Sequence, residues 1–154
     1  MSMHQCYRSG VQPQTEPIGL EVTRTGRVLS LQFNDALAMA GGSLPQWLIL
    51  TALKRGDHTM QREIAAAIGI EGATLTHHLN RMESDGLVRR ERVTGNRRSQ
   101  VVALTPAGEA LFTSLLRTVV DFDKRLCAGF SDRELATIRK LLARLRANAT
   151  SSLR

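Results

Sequence analysis

The chain has 154 residues, 42% of them hydrophobic, and 21 Lys and Arg against 14 Asp and Glu give a net charge of +7. That length suits one compact domain or a small domain with oligomerisation arms, and the basic balance points to a polyanionic partner. Aromatics are only 4%, which argues against single-strand or RNA recognition on stacked aromatic platforms, and no apolar run approaches the roughly 20 residues needed to span a bilayer.

Residues 1–17 lack the apolar core of a secretory signal and read as a disordered leader; a cytoplasmic protein without membrane partners is the default expectation. From Ile18 to Ala40 the spacing predicts a helix whose broken apolar stripe is Val22, Leu29, Phe33 and Leu37, stopped by Gly41-Gly42-Ser43. Leu44-Pro45 opens a second helix, with Ser43 as N-cap and Pro45 in the first turn. Trp47, Leu48, Leu50 and Leu53 bury it, and Arg55-Gly56-Asp57 closes it.

Two short helices joined by a tight turn come next. The first runs from Thr59 or Met60 to Ile68, with Met60, Ile64, Ala65 and Ile68 on one face. Thr59 with Arg62 and Glu63 makes an imperfect cap, and Gly69 suits the left-handed position that ends the helix. The second runs from Gly72 to Asp85, and Leu75, Leu79 and Met82 form its buried stripe. Thr74, His77 and Arg81 lie on another face, with Thr76 and Asn80 beside them. A helix entering a DNA major groove needs such donors to meet base edges, and its N-terminus favours phosphate.

After Asp85-Gly86 the pattern turns to β. Val88 to Val93 and Gln100 to Leu104 are short strands around a Gly- and Asn-containing turn. Arg89, Arg90, Arg92, Arg97 and Arg98 crowd into ten residues against a single acid, Glu91. Phosphate backbones neutralise such a cluster, and arginines can enter a narrow minor groove.

Thr105-Pro106 starts a long helix whose stripe of Leu111, Leu115, Val119 and Phe122 is widened by Phe112, Leu116 and Val120. A stripe that broad suits burial on two sides. Ser131-Asp132-Arg133-Glu134 is a capping box, and the helix it opens carries Leu135, Ile138, Leu142 and Leu145. The expected organisation is a leader over 1–17, an N-terminal dimerisation helix over 18–42, a winged helix–turn–helix over 43–105, C-terminal dimerisation helices over 106–147 and a frayed tail over 148–154. A two-fold dimer satisfies the terminal apolar helices and sets two reading helices about 34 Å apart, one turn of DNA.

Other chemistry is sparse. Cys6 and Cys127 stand far apart in unlike contexts, so a disulfide framework is not expected. Oxidation of Cys6 in a polar leader is chemically possible, and Cys127 reads as a packing residue. His77 and His78 point about 100° apart on a helix and do not chelate one ion. No phosphate loop or nucleophile elbow occurs, so no catalytic residue, metal site or cofactor is expected. Phe33, Trp47 and His78 can line a cleft between arms and winged domain, and core packing explains each equally well.

Taken in order, Glu63-Ile64-Ala65, Ile68-Gly69, Thr74, Arg81-Met82-Glu83, Gly86-Leu87-Val88, Asn96-Arg97-Arg98 and Leu104-Thr105-Pro106-Ala107-Gly108 resemble the MarR family, the multiple-antibiotic-resistance type regulators, over residues 18–147. The resemblance implies a mainly α fold with a small β-hairpin wing and a homodimeric repressor or activator. The helix at 72–85 then reads the major groove of double-stranded DNA, and the hairpin tip enters the minor groove with Arg98 matching the family's wing arginine. Many relatives bind small phenolic or anionic effectors between the dimerisation helices and the winged domain, which weakens DNA affinity. Two residues depart from the pattern: Asn96 stands where the family often has Asp, and His77 where it often has Arg. Two other readings stay open: a protein-interaction winged helix without DNA binding, and a DNA-binding regulator with no ligand.

Overall fold

The computed structural model describes residues 16–56, 60–92 and 100–151, with backbone only at Arg92 and Gln100. Among these residues the helices are α1 (Ile18–Met39), α2 (Leu44–Arg55), α3 (Gln61–Ile68), α4 (Gly72–Ser84), α5 (Pro106–Leu126) and α6 (Asp132–Ser151). Strands β1 (Val88–Arg92) and β2 (Gln100–Leu104) form an antiparallel hairpin between α4 and α5. The chain divides into two units, residues 1–118 and 119–154, with the boundary inside α5. The fold is the mainly helical winged helix–turn–helix that the sequence predicts.

Local chemistry sets the helix ends. Ser43 caps α2 through a 3.5 Å bond from Gln46 N–H, with Pro in the first turn as expected. At α3 the N-cap is Met60, and the Glu63 carboxylate accepts from its N–H at 3.3 Å. Thr59, the expected cap, lies outside the described residues. Gly69 ends α3 at φ +71°, and Ile70 N–H then bonds back to the Ala65 carbonyl at 3.1 Å. That left-handed turn is what lets α4 fold back on α3, and only glycine adopts it without strain.

The first unit has one core. Leu37 of α1, Ile49 and Leu50 of α2, Ile64 of α3, Leu75, Leu79 and Met82 of α4, Val88 and Val102 of the hairpin and Leu115 of α5 are all buried. The hairpin register pairs Val88 with Leu104, Arg90 with Val102 and Arg92 with Gln100. Directly opposed residues share a face and the face alternates, so Val88, Arg90 and Val102 point one way and Arg89, Glu91 and Ala103 the other. Met60 adds a single antiparallel bridge to Val101.

Thr105 ties the hairpin to α5. Its hydroxyl donates to the Gly86 carbonyl at 2.5 Å and accepts from Gly108 N–H at 3.1 Å, while its own N–H donates to the Leu87 carbonyl at 3.1 Å.

The last helix extends further than expected, whereas α1 begins at Ile18 as the sequence predicts. Glu16, placed in the leader from sequence, pairs with Arg24 at 2.7 Å, and the Pro17 carbonyl accepts from the first turn of α1. At the other end α6 continues to Ser151, so residues 148–151 of the expected tail are helical. Ala147 and Ala149 favour helix, and the Thr150 and Ser151 hydroxyls bond back to the Ala147 carbonyl, both at 2.9 Å. The capping box holds: Ser131 N–H donates to Glu134 at 2.8 Å. Residues 1–15, including Cys6, lie outside the described residues. Cys127 is half-buried, its Sγ 3.8 Å from an Asp123 carboxylate oxygen.

Candidate nucleic-acid interface

The amphipathic spacing of α4 turns Leu75, Leu79 and Met82 into the core and leaves Thr74, His77, Asn80 and Arg81 exposed, as the sequence predicts. Thr76 departs from that set. It is half-buried, donates to the Gly72 carbonyl at 2.8 Å and accepts a hydrogen bond from the Gln61 side-chain amide of α3. Its hydroxyl clasps the two helices of the motif and is already engaged on both sides. Gln61 is a residue that sequence reasoning missed, because the contact spans fifteen positions across the turn.

The arginines of β1 are not equivalent. Arg89 pairs with Glu91 at 2.7 Å on the exposed face. Arg90, on the face shared with Val88 and Val102, has a side chain only 17% exposed. Its Nε donates to the Glu83 carboxylate at 3.0 Å, its backbone N–H to the other Glu83 oxygen at 3.2 Å, and its Nη2 to Asn80 Oδ1 at 2.6 Å. Within the run 89–98 Glu91 is the single acid, and Glu83, from the last turn of α4, adds an acid from outside that run. The strand's period of two carried the signal, since it puts Arg90 on the inward face beside Val88. Glu83 is held below the usual carboxylate range, chiefly by the Arg90 side-chain hydrogen bond. Partial burial opposes that shift, and the guanidinium charge and the Arg90 N–H add to it. Arg97, Arg98 and Asn96 lie outside the described residues.

The three cleft candidates sit in the first unit on α1, α2 and α4. Trp47 stacks on Phe112 of α5, with centroids 5.6 Å apart and planes 7° from parallel. Lys54 reaches the same ring at 5.9 Å and pairs with Glu109 at 2.7 Å. His78 is half-buried and meets the His77 ring edge-on at 5.9 Å. Phe33 is half-buried on α1. One turn beyond Trp47, the buried Thr51 hydroxyl has no hydrogen-bond partner among the described residues. No three or more metal-ligating side chains gather among the described residues, and no single described helix is long and apolar enough to cross a membrane.

Chemically, the arrangement is a polar helix face with short donors and acceptors at its exposed edge, set beside a basic strand. A family model described as the MarR family matches residues 43–100. The protein YdgJ of Bacillus subtilis (strain 168), an uncharacterized HTH-type transcriptional regulator, is 30% identical over 122 residues, 79% of this chain and 73% of YdgJ. The fold matches the M. tuberculosis transcriptional regulator MOSR, solved in complex with DNA, with a TM-score of 0.71 and 26% identity over 88% of this chain and 98% of MOSR. It also matches the PcaV transcriptional regulator of Streptomyces coelicolor, solved with its natural ligand, with a TM-score of 0.76 and 22% identity over 92% of this chain and 99% of PcaV.

Proposed function

This chain belongs to the MarR family of transcriptional regulators, and we propose that it represses transcription by binding a pseudo-palindromic operator as a homodimer, released by a small-molecule effector. The family is one of regulators, not enzymes. The observation that carries the reading is the exposed quartet Thr74, His77, Asn80 and Arg81 on α4, beside the wing, in a fold that MOSR shares in complex with DNA. Those side chains face base edges in the major groove, and Arg97 and Arg98, between β1 and β2 in sequence, are the residues proposed for the minor groove. The helices at both ends of the chain, α1 on one side and α5 with α6 on the other, join the two copies.

Two observations support an effector. PcaV, which shares the fold, was solved with its natural ligand, and the orphaned Thr51 hydroxyl beside Trp47 offers a buried polar group to a ligand or a water. A small phenolic or anionic molecule among Phe33, Trp47 and His78 is the class proposed.

Titrating the purified protein against its own upstream duplex at rising salt tests the reading. A tight complex with a steep log–log salt slope is expected, and Arg98→Ala should reduce that slope by about 1. A well-folded sample that forms no complex in dilute buffer overturns it and favours a protein-interaction module. Repeating the titration with small aromatic acids present tests release.

A further inference from the structure

The carboxamide of Asn80 is exposed on the α4 face assigned above to DNA, yet one end of it is occupied. Arg90 Nη2 lies 2.6 Å from Asn80 Oδ1. A guanidinium carries donors only, so the carboxamide atom facing it is the oxygen and the Nδ2 amide is the opposite end. Arg90 cannot swing away at little cost. Glu83 takes hydrogen bonds from its Nε, its Nη2 and its backbone N–H, and β1 pairs it opposite buried Val102. The link therefore runs from the end of α4, through the wing strand, and back to the exposed edge of α4 one turn earlier.

We infer that Glu83 and Arg90 are positioning residues for base recognition, fixing Asn80 with its amide N–H2 outward so that it reads an acceptor in the major groove and does not make the two-bond pair with adenine. Adenine is read by a carboxamide through both ends, the oxygen accepting from N6 and the nitrogen donating to N7. With Oδ1 held against a cation, the first of those bonds is opposed: the adenine N6 donor would approach an oxygen already bound to a positive donor. Guanine presents N7 and O6 as acceptors and thymine presents O4, and each suits an outward N–H2. This inference rests on the reading of α4 as the DNA-facing helix.

The test is a double-mutant cycle on the full chain, using the upstream duplex above with each base pair of the site varied in turn. The wild type should prefer guanine or thymine at the position that Asn80→Ala relaxes, by about tenfold. Glu83→Gln and Arg90→Met should relax the same position and raise adenine there, while the rest of the base profile and the salt slope stay as in the wild type. In an Asn80→Ala background, Arg90→Met should change that position no further. Arg90→Lys keeps the charge, but a single ammonium does not reproduce the planar fork that spans Asn80 and Glu83, so it should behave as Arg90→Met does. A general loosening of the wing would lower affinity evenly across all bases and so overturns the positioning role. Adenine preference in the wild type, or additive effects of Asn80→Ala and Arg90→Met, likewise overturns it. Absence of any wild-type complex is a different failure: it removes the DNA reading itself.

Discussion

At Gly108 the backbone of α5 passes so close to the turn between α4 and β1 that no side chain fits. A Cβ there would sit well inside contact distance of the Leu87 carbonyl oxygen, which already accepts from Thr105 N–H. Because the obstacle is backbone, relief needs a shift of the hairpin or of the first turn of α5. Gly108→Ala should therefore destabilise the fold by about 1–3 kcal/mol despite alanine's better helix propensity, read as a lower denaturant midpoint with an unchanged slope. A midpoint equal to the wild type's would mean that the junction is loose. Thr74 and Thr76 make the complementary point. Both are short hydroxyls two positions apart on one helix, yet one is exposed and the other is held by Gln61.

Between elements, the Glu83–Arg90 contact joins the reading helix to the wing. Glu83 titrates below its ordinary range in the folded chain, so the contact adds stability at neutral pH that is lost as pH falls through the lowered value. Glutamine in its place keeps one acceptor and no charge. The melting temperature of the wild type should exceed that of Glu83→Gln at neutral pH, and the gap should close as the solution is acidified below the usual glutamate range. The Glu83 side chain is 39% exposed, so solvent screening keeps the gap small. A gap that is constant with pH would show that the charge contributes nothing. Glu134 is shifted the same way by the Ser131 hydrogen bonds at the start of α6.

For the whole molecule, the salient feature is a last helix with no buried residue. Ile138, Leu141, Leu142 and Leu145 are 37–44% exposed along it, at the spacing of one apolar face. Burying a leucine completely is worth about 2 kcal/mol, and each of these is already partly covered. Several must therefore be covered together to stabilise an assembly, which a self-complementary two-fold contact does. The proposed homodimer predicts twice the chain mass by light scattering at micromolar concentration. Leu142→Asp should give the monomer mass with helical content retained, and with it a large loss of operator affinity, since each monomer holds only one reading helix. A dimer that survives this substitution would remove α6 from the interface.

The sequence by itself determined which segments fold and which sides of them are apolar. Leu75, Leu79 and Met82 recur at the helical period, Val88 and Val102 at the strand period, and Ser43 and Gly69 mark helix ends through their own side chain or lack of one. These are local properties, carried within one or two turns of chain, so they are legible without coordinates. The ordered motifs around them were enough to point to the family that the comparisons bear out. What only the tertiary structure decided is which polar groups of that apparent DNA face are already spent. Thr76 is engaged by Gln61, Arg90 by Glu83, and Asn80 at its oxygen by Arg90. Each of those bonds closes between separate elements, where a sequence pattern gives a side chain's direction but not what stands in front of it.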